Sequence, residues 1–393
     1  MSEWKERTLS EVSEITSSKR IFYSDYVKDG VPFWRSKEVI EQYNKQPVTT
    51  ELFITHQKYN DIKNSHGVPQ KDDILLTSVG TLGKTYVVKE KDVFYFKDGN
   101  LTWFRNYKRA VIEPTFLKWW LDSPIGQESL RAMTIGSTQS ALTIRNLKNI
   151  KILLPPLPEQ KAIAGVLSSL DDKIDLLYEQ NKTLEAMAET LFRQWYIESD
   201  EGKEIKITEI IDFNPKETLS KGSMMDYLEM SNVQTTTFHP TRWYKRKFSS
   251  GTKYRNYDTL LARITPCLEN GKSCYVTFLS NEAIGWGSTE FIVMRAKNEF
   301  HPFLIYILSK NQIFRDYAEG CMEGSSGRQR VNVTHLKEFT IIQPTKKITS
   351  LINDNLNSIT DRLQYNFQQI LKLESLRNLL LPKLISGGVQ VKS

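Results

Sequence analysis

The densest basic stretch of the chain, residues 241–257, interleaves cations with aromatic residues and contains no acidic residue. Lysine and arginine neutralise phosphates, and arginine can also bind the two acceptor atoms of guanine, while aromatic rings offer rigid contact surface. We therefore predict that this stretch contacts nucleic acid, with a solvated surface loop as the alternative. The candidate residues are Arg242, Lys245, Arg246, Lys247, Lys253 and Arg255.

Two further turns in the same half of the chain carry cations that could enter a groove of a duplex. Arg328, Gln329 and Arg330 follow a flexible glycine turn, and Arg263 and Lys272 flank the turn at residues 266–271. In the first half of the chain the sequence signal for nucleic-acid contact is weaker, and a solvated surface is an equal alternative for its candidates. Those candidates are Lys37, Ser78, Thr81, Lys84, Gln139 and Ser140.

No familiar catalytic constellation is present in the sequence. An adenine methyltransferase needs an Asn or Asp, two prolines and an aromatic residue to hold the extruded base. The LPPL segment at Leu154 has apolar ends, and the FNPKE segment at Phe213 has one proline. Residues 78–85, SVGTLGKT, resemble a phosphate loop but place serine where its first glycine belongs. The five histidines show neither metal-ligand nor triad spacing, so we predict a non-catalytic chain without a metal site.

The composition indicates which class of partner and which cellular compartment to expect. The 53 lysine and arginine residues outnumber the 46 acidic residues, and the net charge of +7 favours an anionic partner such as nucleic acid. The longest apolar run, residues 303–308, is too short to cross a membrane, and the amino terminus lacks a secretory signal. Three cysteines without paired spacing indicate reduced thiols. We expect a soluble, cytoplasmic protein.

The chain matches itself at an offset of about 188 residues, which indicates a duplicated module. EPTFLKWWLDSPIG from Glu113 aligns with HPFLIYILSKNQIF from His301, and TLSEVSEI from Thr8 aligns with KITEIIDF from Lys206. Each half combines strand-like runs with one helix that begins at a proline. The predicted strands include residues 84–88, 274–278 and 290–294, and the predicted helices run from Pro114 to about Met133 and from Pro302 to about Met322.

A long helix follows each globular module. Apolar residues alternate spacings of four and three from Ile163 to Trp195, and the same seam recurs from Ile352 to Leu384. Each helix runs roughly 35 to 40 residues, far beyond the usual three turns or so. We predict that the helices pair antiparallel as a spacer, with two separate surface helices as the alternative. Asn181 and Asn366 interrupt the seams, and they either meet in one layer and fix the register or are solvent-exposed gaps.

The helical regions resemble those of a known family. LPPLPEQKAIAGVLSSLDDKID from Leu154 is similar to the central conserved region of the specificity subunits of Type I restriction-modification enzymes. LESLRNLLLPKLISGGVQV from Leu373 is similar to their carboxyl-terminal conserved region, and the duplicated layout extends the resemblance over nearly the whole chain.

This resemblance implies a non-catalytic subunit with two target-recognition domains, each of which reads one half of a split site in double-stranded DNA. It further implies that the paired helices dock two methyltransferase subunits and that restriction subunits join this complex. S-adenosylmethionine, ATP and Mg²⁺ are then expected on the partner subunits, and no cofactor is expected on this chain.

The predicted fold class is α+β: two pseudo-repeated mixed domains separated by two long helices that pair as an antiparallel coiled coil. The predicted parts are target-recognition domain 1 at 1–153, spacer helix 1 at 154–200, target-recognition domain 2 at 201–343, and spacer helix 2 with the tail at 344–393. Two alternatives stay open: the recognition subunit of a related system that cuts on both sides of its site, and a coiled-coil scaffold that binds no DNA.

Overall fold

The computed structural model describes residues 4–134, 141–280, 282–297, 299–325 and 327–391. The chain divides into two compact units: unit 1 comprises residues 1–175 and 371–393, and unit 2 comprises residues 176–370. Both units contain helices and sheets, so the fold class is α+β as predicted. Within the described ranges, none of the helices combines the length and the apolar character that a membrane span requires.

Unit 1 is built from short strands and helices that are followed by a long helix. In chain order they are β1 (Lys5–Thr8), α1 (Leu9–Val12), β2 (Glu14–Thr16), β3 (Tyr26–Val27), β4 (Val31–Trp34), α2 (Ser36–Tyr43), β5 (Phe53–Ile54), α3 (His56–Ser65), β6 (Ile74–Thr77), β7 (Thr85–Val87), β8 (Tyr95–Phe96), β9 (Leu101–Arg105), α4 (Pro114–Asp122), α5 (Pro124–Ala132), α6 (Ile144–Lys148), β10 (Lys151–Leu154) and the first part of α7 (Leu157–Phe192). One sheet has the antiparallel order β2-β9-β6-β7. A second has the order β3-β5-β4-β8, in which β4 and β8 are parallel, and β1 pairs with β10.

Unit 2 repeats this plan. After α7, its elements are β11 (Lys203–Lys206), β12 (Ile211–Phe213), β13 (Met224–Leu228), β14 (Tyr244–Lys247), β15 (Thr252–Tyr254), β16 (Thr259–Ala262), β17 (Ser273–Tyr275), β18 (Gly285–Gly287), β19 (Phe291–Ala296), α8 (Pro302–Lys310), α9 (Gln312–Gly320), β20 (Met322–Glu323), β21 (Arg330–Val331), α10 (Val333–Leu336), β22 (Thr340–Gln343) and α11 (Lys346–Ile385). The order β12-β19-β16-β17 corresponds to the antiparallel sheet of unit 1. The order β14-β13-β18-β15 again has one parallel pair, β13 with β18, and β11 pairs with β22.

The main core of unit 1 joins residues from both ends of the chain. Leu9 contributes from α1, Phe104 from β9 of the antiparallel sheet, and Ile163 from α7. Leu384 and Ile385, at the end of α11, are buried in the same cluster. The carboxyl-terminal segment therefore completes the core of unit 1.

The helix predicted after the sheets of each unit is broken in two, so the predictions of a single helix are wrong. Ser123 separates α4 from α5 because the ring of Pro124 disfavours a helical conformation in the residue before it. The Ser123 hydroxyl then accepts a hydrogen bond from the Gly126 amide at 3.1 Å. Asn311 caps α9 in the same way through its side-chain oxygen.

The long helices α7 and α11 pair antiparallel. Asp171 of α7 contacts Arg377 of α11 within unit 1, and Asn181 of α7 contacts Asn366 of α11 within unit 2. As the residue numbers rise along α7, the numbers of their partners on α11 fall. The predicted seam is buried or half-buried from Ile163 onward.

The end of α7 departs from the predicted seam. Phe192 and Tyr196 are buried there, whereas Leu191 and Trp195 are only half-buried. An α-helix of 3.6 residues per turn drifts by about 20° per heptad from a strict 3.5-residue repeat. The π-helical turn at Arg193–Ile197 rotates the last side chains further. The buried side of the helix therefore moves by one residue.

Candidate nucleic-acid interface

Three of the predicted cations lie in one short strand, β14, at the edge of the second sheet of unit 2. Successive side chains of a strand point to opposite faces, so Lys245 and Lys247 share one face and Arg246 lies on the other. Lys245 donates a hydrogen bond from Nζ to Oδ2 of Asp226 on β13 at 2.9 Å. All three cations are exposed. The basic stretch thus presents two surfaces and not one continuous run of charge.

Aromatic rings line the face of the sheet that carries Arg246. Its guanidinium carbon lies 4.6 Å from the ring centre of Tyr227 and 5.6 Å from that of Trp286. The guanidinium of Arg242 lies 5.7 Å from the ring of Tyr244. A cation over an aromatic ring is attracted by the partial negative charge on the face of the ring. We name Tyr227, Arg242, Tyr244, Arg246 and Trp286 the aromatic-basic face.

The other two cations of the stretch are engaged by the protein. Nζ of Lys253 donates to the backbone carbonyl of Glu217 at 2.9 Å, and Nε of Arg255 pairs with the Glu217 carboxylate at 2.7 Å. Tyr254 between them is fully buried. Glu217 is distant in sequence, so the local pattern of alternating cations and rings did not reveal it.

The loop before β14 packs onto the carboxyl-terminal helix within unit 2. The ring of His239 stacks on Phe367 of α11 at 4.1 Å between ring centres, and Trp243 lies 6.2 Å from the same ring. Burial lowers the pKa of His239 to about 4. This aromatic cluster fixes the start of β14 and so positions the aromatic-basic face.

Most of the cations predicted at the turns of unit 2 also have protein partners. Arg330 donates to both carboxylate oxygens of Glu290 at 2.7–3.0 Å, and this hydrogen bond raises the pKa of Arg330. Arg263 and Lys272 are half-buried and donate to backbone carbonyls at 3.0 Å. These three residues are therefore weaker candidates for a DNA contact than the sequence indicated.

Arg328 and Gln329 lie in the loop between β20 and β21. Arg328 is exposed, and its side chain makes no hydrogen bond or ion pair with the described residues. Gln329 is half-buried, and its backbone carbonyl accepts from the Thr265 amide at 3.2 Å. Arg328 is thus the more available of the two for a ligand.

In unit 1 one candidate is less available than the others. Ser78 is buried, and its hydroxyl forms a 2.6 Å hydrogen bond with that of Thr102. Ser78 is therefore a weaker candidate for a DNA contact than the sequence indicated. Thr81, further along the chain, is exposed. Gln139 and Ser140 lie outside the described residues.

The two predicted lysines of unit 1 are engaged within their own unit. Nζ of Lys37 donates to Glu51 at 3.1 Å and to the backbone carbonyl of Thr49 at 3.2 Å. Lys84 is half-buried, and its Nζ lies 4.1 Å from the ring centre of Tyr43. Both lysines therefore have partners within unit 1 and are weaker candidates for a DNA contact.

A different exposed segment of unit 1 was missed from the sequence. The side chains of Phe22 and Tyr23 are 63% and 90% exposed, and they follow Lys19 and Arg20. Large exposed aromatic residues beside cations are the same signal that marked residues 241–257. Nε of Arg20 pairs with Asp98 at 2.8 Å, so its charge is partly compensated.

The asparagine layer of the helix pair lies within unit 2. Nδ2 of Asn366 donates to Oδ1 of Asn181 at 2.9 Å, and both residues are buried. The structure thus brings together the two polar residues that interrupt the seams. The remaining amide group of Asn181 and carbonyl oxygen of Asn366 have no partner among the described residues. Pairing the amides avoids placing either of them against leucine.

Comparisons with known proteins show which family these features resemble. Residues 1–186 match the model of the Type I restriction modification DNA specificity domain. A Haemophilus influenzae protein provisionally named a type I restriction enzyme specificity subunit is 28% identical over 182 residues, which are 44% of this chain and 44% of that protein. The MjaIX specificity subunit of a Type I restriction enzyme from Methanocaldococcus jannaschii is 22% identical over 99% of this chain and 94% of its own.

A solved structure shares the fold. The crystal structure of the S subunit of a Type I restriction-modification system from M. genitalium covers 98% of this chain and 96% of its own, with a TM-score of 0.59 at 15% identity. The amino-terminal part of the chain, residues 1–186, is thus similar to the Type I DNA specificity domain. Over nearly its whole length the chain is similar to a specificity subunit of a Type I restriction enzyme.

Proposed function

We propose that this chain is the DNA-specificity subunit of a Type I restriction-modification complex and is not itself catalytic. The globular part of unit 1 reads one half of a bipartite site in double-stranded DNA, and that of unit 2 reads the other half. The repeated plan of the two units carries this proposal, because an antiparallel sheet of corresponding strand order occurs in both units beside a second sheet that contains one parallel pair. The predicted domain boundaries, at residues 153, 200 and 343, belong to the same proposal.

The long helices α7 and α11 dock two methyltransferase subunits, and restriction subunits join that complex. Exposed apolar side chains on the helices support a docking role, because large apolar groups outside a core often mark interaction surfaces. Leu176 and Met187 of α7 and Leu351 of α11 are exposed in unit 2.

The proposal is tested by expressing the chain with its native methyltransferase in a host that lacks DNA methylation. The expected result is a stoichiometric complex and a methylated DNA motif in two parts. The purified chain alone should neither methylate nor cleave DNA. Methyl transfer by the chain alone, or the absence of any methyltransferase in the complex, would overturn the proposal.

A domain exchange tests which unit reads which half. Replacing residues 201–343 by the corresponding part of a relative should change one half of the motif and keep the other. A matched exchange of residues 1–153 should change the opposite half. If either exchange altered both halves, the units would not read DNA separately. If the complex showed no sequence preference, the chain would be a scaffold.

A further inference from the structure

The two faces of β14 hold their cations in different ways. Lys245 shares its face with the Asp226 carboxylate, which compensates its charge at 2.9 Å. Arg246, on the other face, lies against two rings and makes no side-chain hydrogen bond or ion pair with the described residues. Neighbours in sequence therefore have different chemical roles.

The environment of Arg246 differs from that of three other arginines in unit 2, which pair with carboxylates. Arg255 pairs with Glu217, Arg295 pairs with Asp258, and Arg330 pairs with Glu290, each at 2.7 Å. Carboxylate pairing uses the N–H donors of these guanidinium groups. The rings beside Arg246 contact its guanidinium group without using those donors. The N–H groups therefore remain available to a ligand, and the rings restrict the orientation of the guanidinium group.

We infer that Arg246 reads a guanine in the half-site recognised by unit 2, and this inference rests on the proposed function. The guanidinium fork matches the O6 and N7 acceptors of guanine in the major groove, which is the commonest specific contact of arginine with DNA. A fork held in place by aromatic rings loses less conformational freedom when it binds. Arg242, over the ring of Tyr244, flanks it on the same face.

The alternatives for Arg246 differ in chemistry. A phosphate contact requires positive charge but no fixed fork, so lysine could replace arginine there. A guanine contact benefits from the planar, two-point geometry of the guanidinium group, which the flexible ammonium group of lysine reproduces less well. The substitution Arg246→Lys therefore separates reading of a base from neutralisation of a phosphate, because it keeps the charge and removes the fork.

The experiment uses the chain assembled with its methyltransferase subunits. Methylated sites are mapped in cells for the wild type, for R246K and for R246A, and binding of the purified complexes is measured on duplexes altered at single positions. The wild-type half-site of unit 2 should contain a guanine whose replacement weakens binding about 10- to 100-fold. R246K should lose most of this discrimination at one position and keep the half-site of unit 1.

R315K serves as the matched control, because Arg315 of α9 also lies in unit 2, is not a candidate for a DNA contact, and donates to the backbone carbonyl of Glu269 at 2.6 Å. It should keep the wild-type motif, and thermal melting should show that R246K and R315K are folded. The inference is overturned if R246K keeps full discrimination at every position, or if R246A weakens all sequences equally. If the wild-type complex shows no DNA preference at all, the proposed function itself is wrong, and this inference, which rests on it, is overturned with it.

Discussion

Unit 1 and unit 2 share the strand order of their antiparallel sheets but are built differently from the chain. Unit 2 is one continuous stretch, 176–370, whereas unit 1 combines residues 1–175 with residues 371–393. The last turns of α11 fill the core of unit 1, next to residues from the start of the chain. A repeat in sequence therefore need not coincide with a structural unit, because the end of the second repeat completes the first unit.

The units also differ in the chemistry of their candidate surfaces. Unit 2 presents Arg242 and Arg246 on aromatic rings without carboxylate partners among the described residues. In unit 1, Lys37 pairs with Glu51, and Lys84 is half-buried over Tyr43. Cations that the sequence marks as candidates can thus differ in availability, because distant carboxylates and rings decide which of them remain free to bind.

The largest expected effect tests the discontinuous construction of unit 1. Leu384 is 2% exposed in the core of unit 1, so Leu384→Ala should reduce the free energy of unfolding of that unit by about 2–5 kcal/mol. Hydrogen exchange should show faster opening of β6 and β9, while β16 and β19 of unit 2 stay protected.

The matched control is Leu356→Ala, which alters an equally buried leucine of the same helix within unit 2. It should loosen unit 2 and leave unit 1 protected. Equal loosening of both units by either variant would show that the two are one cooperative structure, contrary to the comparison above.

The second effect concerns His239, which is fully buried in unit 2 and has a pKa lowered from 6.5 to about 4 by that burial. Below pH 6.5 the unfolded chain binds a proton that the folded chain excludes. Stability should therefore fall as the pH decreases from about 6.5 to 4, by about 3 kcal/mol at most. Urea unfolding across this range should show the fall for the wild type, whereas His239→Leu should lack this contribution. An identical pH dependence in the two proteins would contradict this contribution of His239 to stability.

The asparagine pair gives the third effect. Asn366→Leu should cost about 1–3 kcal/mol because it leaves the buried amide of Asn181 without its partner. The double variant with both positions as leucine should recover much of that loss, since neither polar group then remains buried. Denaturant unfolding of the four proteins of this cycle measures the coupling. Strictly additive losses would show that the 2.9 Å contact carries no coupling energy.

Much of the fold could be predicted from local spacing. The repeat follows from the match of the chain with itself, and the antiparallel helices follow from the regular apolar positions. The meeting of Asn181 with Asn366 was one of two alternatives that the same positions left open. The break at Ser123 also had a local signal, because Pro124 follows it. That break was missed because the apolar pattern continues across it.

The candidate site was less predictable, because its chemistry depends on residues that are distant in sequence. Arg330 is held by Glu290, and Ser78 bonds to Thr102. Neither partner could be assigned from spacing, since each pairing depends on the strand register of the sheets. The alternation within β14 was readable in principle, but only once residues 244–247 were known to form a strand.

The smallest expected effect distinguishes the two lysines that share one face of β14. Lys247 is exposed and makes no ion pair with the described residues, so a phosphate contact there would release about one counterion. Lys247→Ala should then reduce the slope of log affinity against log salt by about 0.9, equally for specific and unrelated duplexes. Lys245→Ala should change the slope less, because Asp226 already compensates that charge. Salt titrations of the assembled complex measure both slopes. An equal reduction for the two lysines would show that DNA displaces Asp226, and an unchanged slope for Lys247→Ala would place the phosphate contacts of unit 2 elsewhere.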